Sequence, residues 1–389
     1  MTSSPSCRRL PSEQERYFEE VSMPHPYKCY FEITRQAETL AACISAIYSR
    51  KNDIVSFYQG MQPDEVLFIG CTSPYYVGKS VAYYWQSTLG VPVQAATASE
   101  YVQFPYRFHS ARSERPLLVA ISRSGRTSET LWAIEDFERR FPKRTVLITC
   151  ASEAPMAKLS SLTISLPQGM EETLAQTRSF SAMYLAAQMM CALIGRQGAI
   201  LGRLEQAPAL VDKVVRQSEP VIRGILDREI KNIFVIGSGP HYGIALDGAL
   251  KMMEMSLSEV MCFPFLESRH GPKSIIGAQS LVVGLCSRAG QAYEAQVMRE
   301  YTTKHAALTV AVTPDSAWAT GDSTLHIPIG CDWPDPILGL LYLPVLQLMA
   351  YYRALAKGVN PDQSRNLTQF VELARVVTSQ KEVPMDRKA

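Results

Sequence analysis

Short apolar, β-branched runs recur along the chain, each bounded by turn residues, and they predict buried strands at Val66–Gly70, Val91–Ala95, Leu117–Ser122, Thr145–Cys150 and Leu162–Leu166. Helix-compatible stretches such as Val77–Leu89 and Ser128–Arg140 lie between them. Alternation of this kind predicts an α/β fold with a parallel sheet covered on both faces. A second series follows in the same order at Ile233–Gly237, Val260–Phe265, Leu281–Cys286, Leu308–Thr313 and Leu325–Ile329. The repeat extends into the loops: Ile121–Glu129 (ISRSGRTSE) is answered by Cys286–Glu294 (CSRAGQAYE), each after the third strand of its half.

The expected organisation is an N-terminal tail over 1–30, a first domain over 31–200, a second over 201–359 and a C-terminal tail over 360–389. Met183 to about Asp227 is expected as a helical linker, and residues before about Tyr30 and after about Val377 as loosely held. The longest apolar run, Ile337–Tyr352, is short for a bilayer span and contains Gly339, Pro344 and Gln347. It is expected as a buried helix, broken or kinked near Pro344.

Composition narrows the classes. The 389 residues carry 39 basic and 37 acidic side chains, interspersed, for a net charge of +2, so no broad basic face is available for nucleic acid. Nine cysteines, odd in number and without a C-x-x-C pair, read as reduced thiols. The N-terminus lacks the apolar core of a secretory signal, and a cytoplasmic location is expected.

Candidate chemistry gathers first at Ser122–Thr130 (SRSGRTSET), between a strand and a helix, where hydroxyls, backbone N–H groups and the helix dipole favour an anion without a metal. Gly125 suits a tight turn, Thr127 or Ser128 can cap the helix, and the alternative is a plain capped βα loop. Arg123 and Arg126 either reach a phosphate or stay solvated. The second copy replaces Ser124 and Thr127 by Ala289 and Ala292, so only the first is expected to bind an anion. The loop Gly70–Gly78 would face the same crevice. Asp247, Lys251 and Glu254 share one helical face, which suits either a site or a solvated ion pair. His270, before Gly271-Pro272, is placed by its turn at an exposed position. His241 is a weaker candidate, and His25, His109, His305 and His326 have no metal-ligand spacing, so neither a metal nor a cofactor is expected.

These motifs resemble the sugar isomerase (SIS) domain family over about Phe31–Leu373, through the hydroxyl loop Ser122–Thr130, the stretch Gly237–Glu254 (GSGPHYGIALDGALKMME) and Glu267–Ser274 (ESRHGPKS). The second half is similar to the isomerase half of glucosamine-6-phosphate synthase, and more so to stand-alone amino-sugar-phosphate deaminase/isomerases. The resemblance implies two tandem flavodoxin-like three-layer α/β domains. It implies that Ser122, Arg123, Ser124 and Thr127 hold a sugar phosphate, and that Leu174, Ala175 and Thr177 line the sugar pocket. It further implies that Glu254 shuttles the proton, with Lys251 beside it, and that His270 opens the ring from the neighbouring subunit of a homodimer.

The sequence departs from the family pattern in three places. Thr72 and Pro74 replace a glycine and a hydroxyl, which stiffens the loop carrying Ser73, itself a candidate sugar contact. Gln369 stands where the synthase has its Schiff-base lysine. No glutaminase domain precedes the repeat, so synthase activity is not expected.

Isomerisation needs one base to carry a proton between C1 and C2 and a second group to open the ring, work for which Glu254 and His270 are chemically suited. Lys251 would stabilise the enediolate oxygen or restrain Glu254. The expected function is an aldose–ketose isomerase/deaminase of glucosamine or galactosamine 6-phosphate. The alternatives are a fructosamine-6-phosphate deglycase and a silent sugar-phosphate sensor.

Overall fold

The structure, a computed structural model, describes residues 25–108, 113–226, 228–318 and 325–375. His109, Asp227, residues 1–24 of the expected N-terminal tail and 376–389 of the C-terminal one lie outside these. The first half opens with α1 (Lys28–Thr34), α2 (Gln36–Ser49) and α3 (Lys51–Met61). It continues with β1 (Glu65–Gly70), α4 (Ser73–Leu89), β2 (Val93–Thr97), α5 (Ala98–Gln103), β3 (Pro116–Ser122), α6 (Ser128–Arg140), β4 (Thr145–Thr149), α7 (Pro155–Leu159) and β5 (Leu162–Ser165). Three helices follow, α8 (Arg178–Ile194), α9 (Gly198–Leu204) and α10 (Ala207–Leu226). The second half comprises β6 (Asn232–Gly237), α11 (Tyr242–Ser256), β7 (Val260–Phe263), β8 (Ser280–Leu285), α12 (Gln291–His305), β9 (Leu308–Thr313), β10 (Leu325–Pro328) and α13 (Asp335–Ala356).

All ten strands predicted from the sequence are present, shifted by at most a few residues. They form two parallel sheets with the same internal order, β2-β1-β3-β4-β5 and β7-β6-β8-β9-β10. In both, the order reverses between the first and third strands of the half, with Ile69 beside Ala120 in one and Ile236 beside Gly284 in the other. Ligands of open parallel sheets bind beyond the strand C-termini at such a reversal. The β1–α4 and β3–α6 loops flank it in the first half.

Alternation along each strand decides the layers. On the outer faces, Leu67, Ile69 and Leu118 pack on Ala133, Ile134 and Phe137 of α6, while Phe234, Ile236 and Val282 pack on Val297, Met298 and Tyr301 of α12. The inner faces, through Phe68, Val119, Val235 and Val283, feed one apolar cluster common to both halves and filled by α8 and α13. Helix α8 is therefore core rather than linker: every residue from Ser179 to Leu193 is buried. The expected boundary at residue 200 falls inside α9.

Helix α13 is buried, as expected, and is not broken at Pro344, because burial of almost its whole surface outweighs one lost backbone bond. It is long and apolar enough to cross a membrane, but 94% of its most apolar window is buried here.

The halves meet most closely where α4 faces α11. A Cβ at Gly243 would lie far inside van der Waals contact with Ser80 Oγ and the Tyr76 carbonyl, so only glycine permits this approach. Gly243→Ala is expected to lower unfolding free energy by about 1–3 kcal/mol, the usual range for overpacking, in a denaturant titration. An unchanged midpoint would show that the helices separate freely.

Candidate active site

The β1–α4 loop turns too tightly for a side chain at its start, since a Cβ at Gly70 would meet Pro74 Cβ at 2.6 Å. Thr72 then takes φ 52°, ψ −117°, a glycine-favouring conformation in which a β-branched residue is strained. The expected stiffness of this loop thus coincides with stored strain. The turn delivers Ser73 to the first position of α4, pointing at α11.

Across that interface Ser73 Oγ donates to Asp247 Oδ1 at 2.6 Å and accepts from Lys251 Nζ at 3.1 Å. Lys251 Nζ also donates to Glu254 Oε2 at 2.7 Å and lies 3.6 Å from Asp247 Oδ1. Ser73, Asp247 and Lys251 are buried, while the Glu254 side chain keeps 17% exposure. Asp247 Oδ2 has no hydrogen-bond partner.

Burial pushes the Asp247 carboxyl up to about 6, with Glu254 adding to the rise and Lys251 and Ser73 opposing it. Burial alone would lower the Lys251 ammonium, but Asp247, Glu254 and the more distant Glu171 hold it above its ordinary value. Two carboxylates therefore share one fixed cation. Glu254 is the partner that retains an open edge towards a ligand. The helical face read as either a site or a solvated ion pair is thus a buried network. Asp247, which sequence reasoning put on that face without a role, is its inner anchor.

The β3–α6 loop supplies hydroxyls. Ser122 Oγ accepts from Gly125 N at 3.0 Å and Ser124 Oγ from Arg126 N at 3.3 Å. Gly125 has φ 61°, with no room for a Cβ against Ala154. Thr127 occupies the N-cap of α6 without a side-chain capping bond, which leaves its hydroxyl free of that duty. Ser128 does not cap either: its hydroxyl accepts from Leu373 N at 3.0 Å and its N–H donates to the Val371 carbonyl.

The Arg123 guanidinium departs from its assigned part. It is 6% exposed and donates to Glu171 Oε2 at 3.2 Å and to the carbonyls of Thr173, Leu174 and Gln369 at 3.3, 3.0 and 3.2 Å. It clamps the 171–174 segment and the C-terminal strand of chain together, and what remains for a phosphate is its backbone N–H. Arg126 instead is exposed, its guanidinium 6.0 Å from the Phe370 ring centroid.

Of the expected pocket residues, Leu174 is partly exposed, and Ala175 and Thr177 are buried. The Thr177 backbone N–H and hydroxyl both engage Glu171 Oε1, at 2.5 and 3.4 Å, and Ser179 N adds a 2.8 Å bond. Glu171, missed from sequence, thereby seats the start of α8 while holding Arg123. Glu32, also missed, receives the backbone N–H of Glu172 and Thr173 from the other side. Glu171 could have been flagged by its acidic character at the start of the pocket stretch, whereas Glu32, 140 residues from Glu172 in the chain, carries no such signal.

His270 lies exposed in a loop after β7, its N–H donating to the Glu267 carbonyl at 3.1 Å, with no hydrogen bond or ion pair to Lys251 or Glu254. Within one chain the structure does not bring it to the cluster. His241, by contrast, is fully buried.

Residues 360–375 are tied down, and those after about Val377, expected as loosely held, lie outside the described residues. Asp362 accepts from the N–H groups of Lys28 and Cys29 at the start of α1, at 2.8 and 2.9 Å. Arg375 reaches Glu135 at 2.9 Å and Asp136 at 2.6 Å on α6. Between these anchors Gln369 and Phe370 roof a 130 Å³ cavity shared with Arg123, Ser124, Arg126 and Glu171. A larger hollow of 220 Å³, bordered by Arg228, Gln279 and Ala307, contains none of these groups. Among the described residues no cluster of three or more His, Cys, Asp or Glu is placed to hold a metal.

With this geometry established, the model of the SIS domain matches twice, over residues 61–193 and 228–357. The chain belongs to the SIS domain family. Among curated SIS relatives, the glutamine–fructose-6-phosphate aminotransferase [isomerizing] of Legionella pneumophila (strain Lens) is 27% identical over 311 residues, covering 78% of this chain and 50% of the relative. The Xanthomonas campestris pv. campestris enzyme of the same name is 28% identical over 362 residues, or 87% and 58% of the two chains. The chain thus spans about half the length of the curated relatives it matches.

Among solved structures, glucosamine-6-phosphate deaminase from Thermotoga maritima superposes with TM-score 0.70 at 26% identity, over 85% of this chain and all of that one. Tagatose-6-phosphate ketose/aldose isomerase from Escherichia coli superposes with TM-score 0.81 at 19% identity, over 91% and 98%, a likeness of fold alone.

The raised Asp247 carboxyl predicts a pH signature. A carboxyl whose folded value lies above its ordinary one favours the fold while protonated, and that contribution is lost as pH rises towards the folded value. Relative to Asp247→Asn, the wild-type unfolding free energy is expected to fall by about 1–3 kcal/mol between about pH 4 and pH 7. Parallel pH profiles of the two proteins would show that Asp247 ionises unhindered.

Proposed function

We propose that the chain is a sugar-phosphate aldose–ketose isomerase and deaminase that converts glucosamine or galactosamine 6-phosphate to the ketose 6-phosphate and ammonia. The observation that carries this reading is the Ser73–Asp247–Lys251–Glu254 network, which fixes one partly open carboxylate at the junction of the halves, next to the β1–α4 loop that flanks the same sheet reversal as the hydroxyl loop. The phosphate would rest on Ser122, Ser124 and Thr127 and the N–H groups at the start of α6, where the helix dipole favours it.

In the open-chain sugar, Glu254 takes the proton from C2 and returns it to C1, passing through an enolamine. The aldehyde carbon becomes CH2OH and C2 becomes an iminium. Water adds to that carbon and ammonia leaves, so one water is consumed for each ammonia formed. Lys251, held beside Glu254, stabilises the oxygen that gains charge at C1. Leu174, Ala175 and Thr177 border the sugar. His270 is exposed in one chain, which supports a homodimer in which His270 of the partner subunit opens the ring. Charge and motifs support a cytoplasmic enzyme without nucleic-acid or membrane partners.

A second reading has one observation in its favour. Arg126, exposed and stacked on Phe370 beside the cavity, would suit a carboxylate on a larger leaving amine, as in a deglycase of fructosamine 6-phosphates.

Ammonia release from glucosamine, galactosamine and fructosamine 6-phosphates separates these readings. Glu254→Gln is expected to lower kcat by at least about 100-fold, the scale of one general acid–base group, with substrate affinity kept within about threefold. Full turnover by Glu254→Gln would remove the proton-shuttle assignment. Mixing inactive Glu254→Gln with inactive His270→Ala is expected to restore part of the activity through hybrid dimers, and no recovery would contradict a shared site.

A further inference from the structure

The two βα loops share a turn but not an occupant. Ser287 Oγ accepts from Gly290 N at 2.9 Å, as Ser122 Oγ does from Gly125 N. Arg288 matches Arg123, gripping the segment before α13 through the carbonyls of Trp333 and Cys331, with Asp315 at 2.9 Å. The difference lies in the backbone donors. In the second loop the N–H groups of Arg288 and Ala289 donate to Asp335 Oδ1 and Oδ2 at 2.8 and 3.0 Å. The Ser287 N–H meets Glu294 Oε2 at 2.6 Å. Among the described residues, no protein carboxylate takes the corresponding N–H groups of Arg123 and Ser124.

A second group independently faces the same spot. His241 is fully buried and neither ring nitrogen has a hydrogen-bond partner, yet its Nε2 lies 3.7 Å from Asp335 Oδ1, just outside hydrogen-bond reach. A buried imidazole without a partner is costly unless it faces a compensating charge. Burial alone would raise the Asp335 carboxyl, but His241 and the two backbone N–H groups outweigh it and hold the acid below its ordinary range. Two converging N–H groups and an imidazole around a carboxylate make an anion-binding lining.

We propose that the second loop is an oxyanion site kept filled by the chain's own Asp335, an internal ligand that pins the first turn of α13 to the C-terminal end of β8. The ligand class is a small carboxylate, of the size of formate or acetate in the space that the side chain occupies. The second half is thereby closed to phosphate by occupancy, beyond its loss of the Ser124 and Thr127 hydroxyls. The same contact fixes the start of the helix that fills the core between the halves.

Chemical rescue tests this on the full chain. Thermal midpoints of wild type and Asp335→Ala are compared in chloride and in formate at equal ionic strength. In chloride the variant is expected to melt lower by at least about 2–4 °C, the shift that accompanies loss of roughly one hydrogen-bonded contact in a chain of a few hundred residues. Formate is expected to return at least half of that loss to the variant and to leave the wild type unmoved. Formate acting at the first loop would shift both proteins alike and cancels in the comparison. Equal responses of the two proteins, or a variant as stable as wild type in chloride, would overturn the proposal. If Asp335→Ala does not fold in chloride, its refolding yield serves instead: recovery in formate supports the internal ligand, and no recovery refutes it.

Discussion

The close approach of α4 to α11 at Gly243 governs the arrangement of everything that bears chemistry. It brings Ser73, from the first half, within hydrogen-bond reach of Asp247 and Lys251, from the second. Three ionisable groups in so dry a place are tolerated only when each is paired, because an uncompensated buried charge costs several kcal/mol. The closest ion pair is Lys251–Glu254 at 2.7 Å, on the side that keeps solvent access, while Asp247 lies 3.6 Å from the ammonium and takes its short bond, 2.6 Å, from Ser73. Neither half contains this arrangement by itself, so it is held together by the one continuous apolar cluster through both sheets.

The repeat shows how one loop geometry serves two ends. Both copies use a serine–glycine turn and an arginine directed at the segment before α8 or α13, so the arginine belongs to the scaffold in each. What differs is the occupant of the backbone donors: a carboxylate of the chain itself in the second copy, and open N–H groups beside free hydroxyls in the first. Anion recognition at a βα loop depends on which donors are left unpaired as much as on the residue types present.

Strands, repeat and the serine-rich loop were legible in the sequence because they rest on local signals, namely β-branched runs, turn residues and the register between copies. The arrangement of Asp247, Lys251 and Glu254 on one face was legible too, but their burial was not, since it depends on α4 arriving from a hundred and more residues away. Arg123 read as a phosphate ligand because its neighbours do. Its true partners, Glu171 and the carbonyls of Thr173, Leu174 and Gln369, are long-range and have no local pattern. The same holds for the C-terminal strand of chain, polar and unpatterned, yet tied down through Asp362 and Arg375. At Pro344 the buried helix was legible, and the break that local propensity allows is overridden by the packing of α13.

The proposed function requires a phosphate on the first loop to present the sugar to Glu254 across the junction of the halves. The most direct measurement is a crystal structure with the open-chain reduced analogue, 2-amino-2-deoxyhexitol 6-phosphate. Phosphate oxygens are expected about 3 Å from the hydroxyls of Ser122, Ser124 and Thr127, with C1 and C2 against the Glu254 carboxylate. A phosphate seated elsewhere, or Glu254 turned away from C1 and C2 with the phosphate in place, would contradict it.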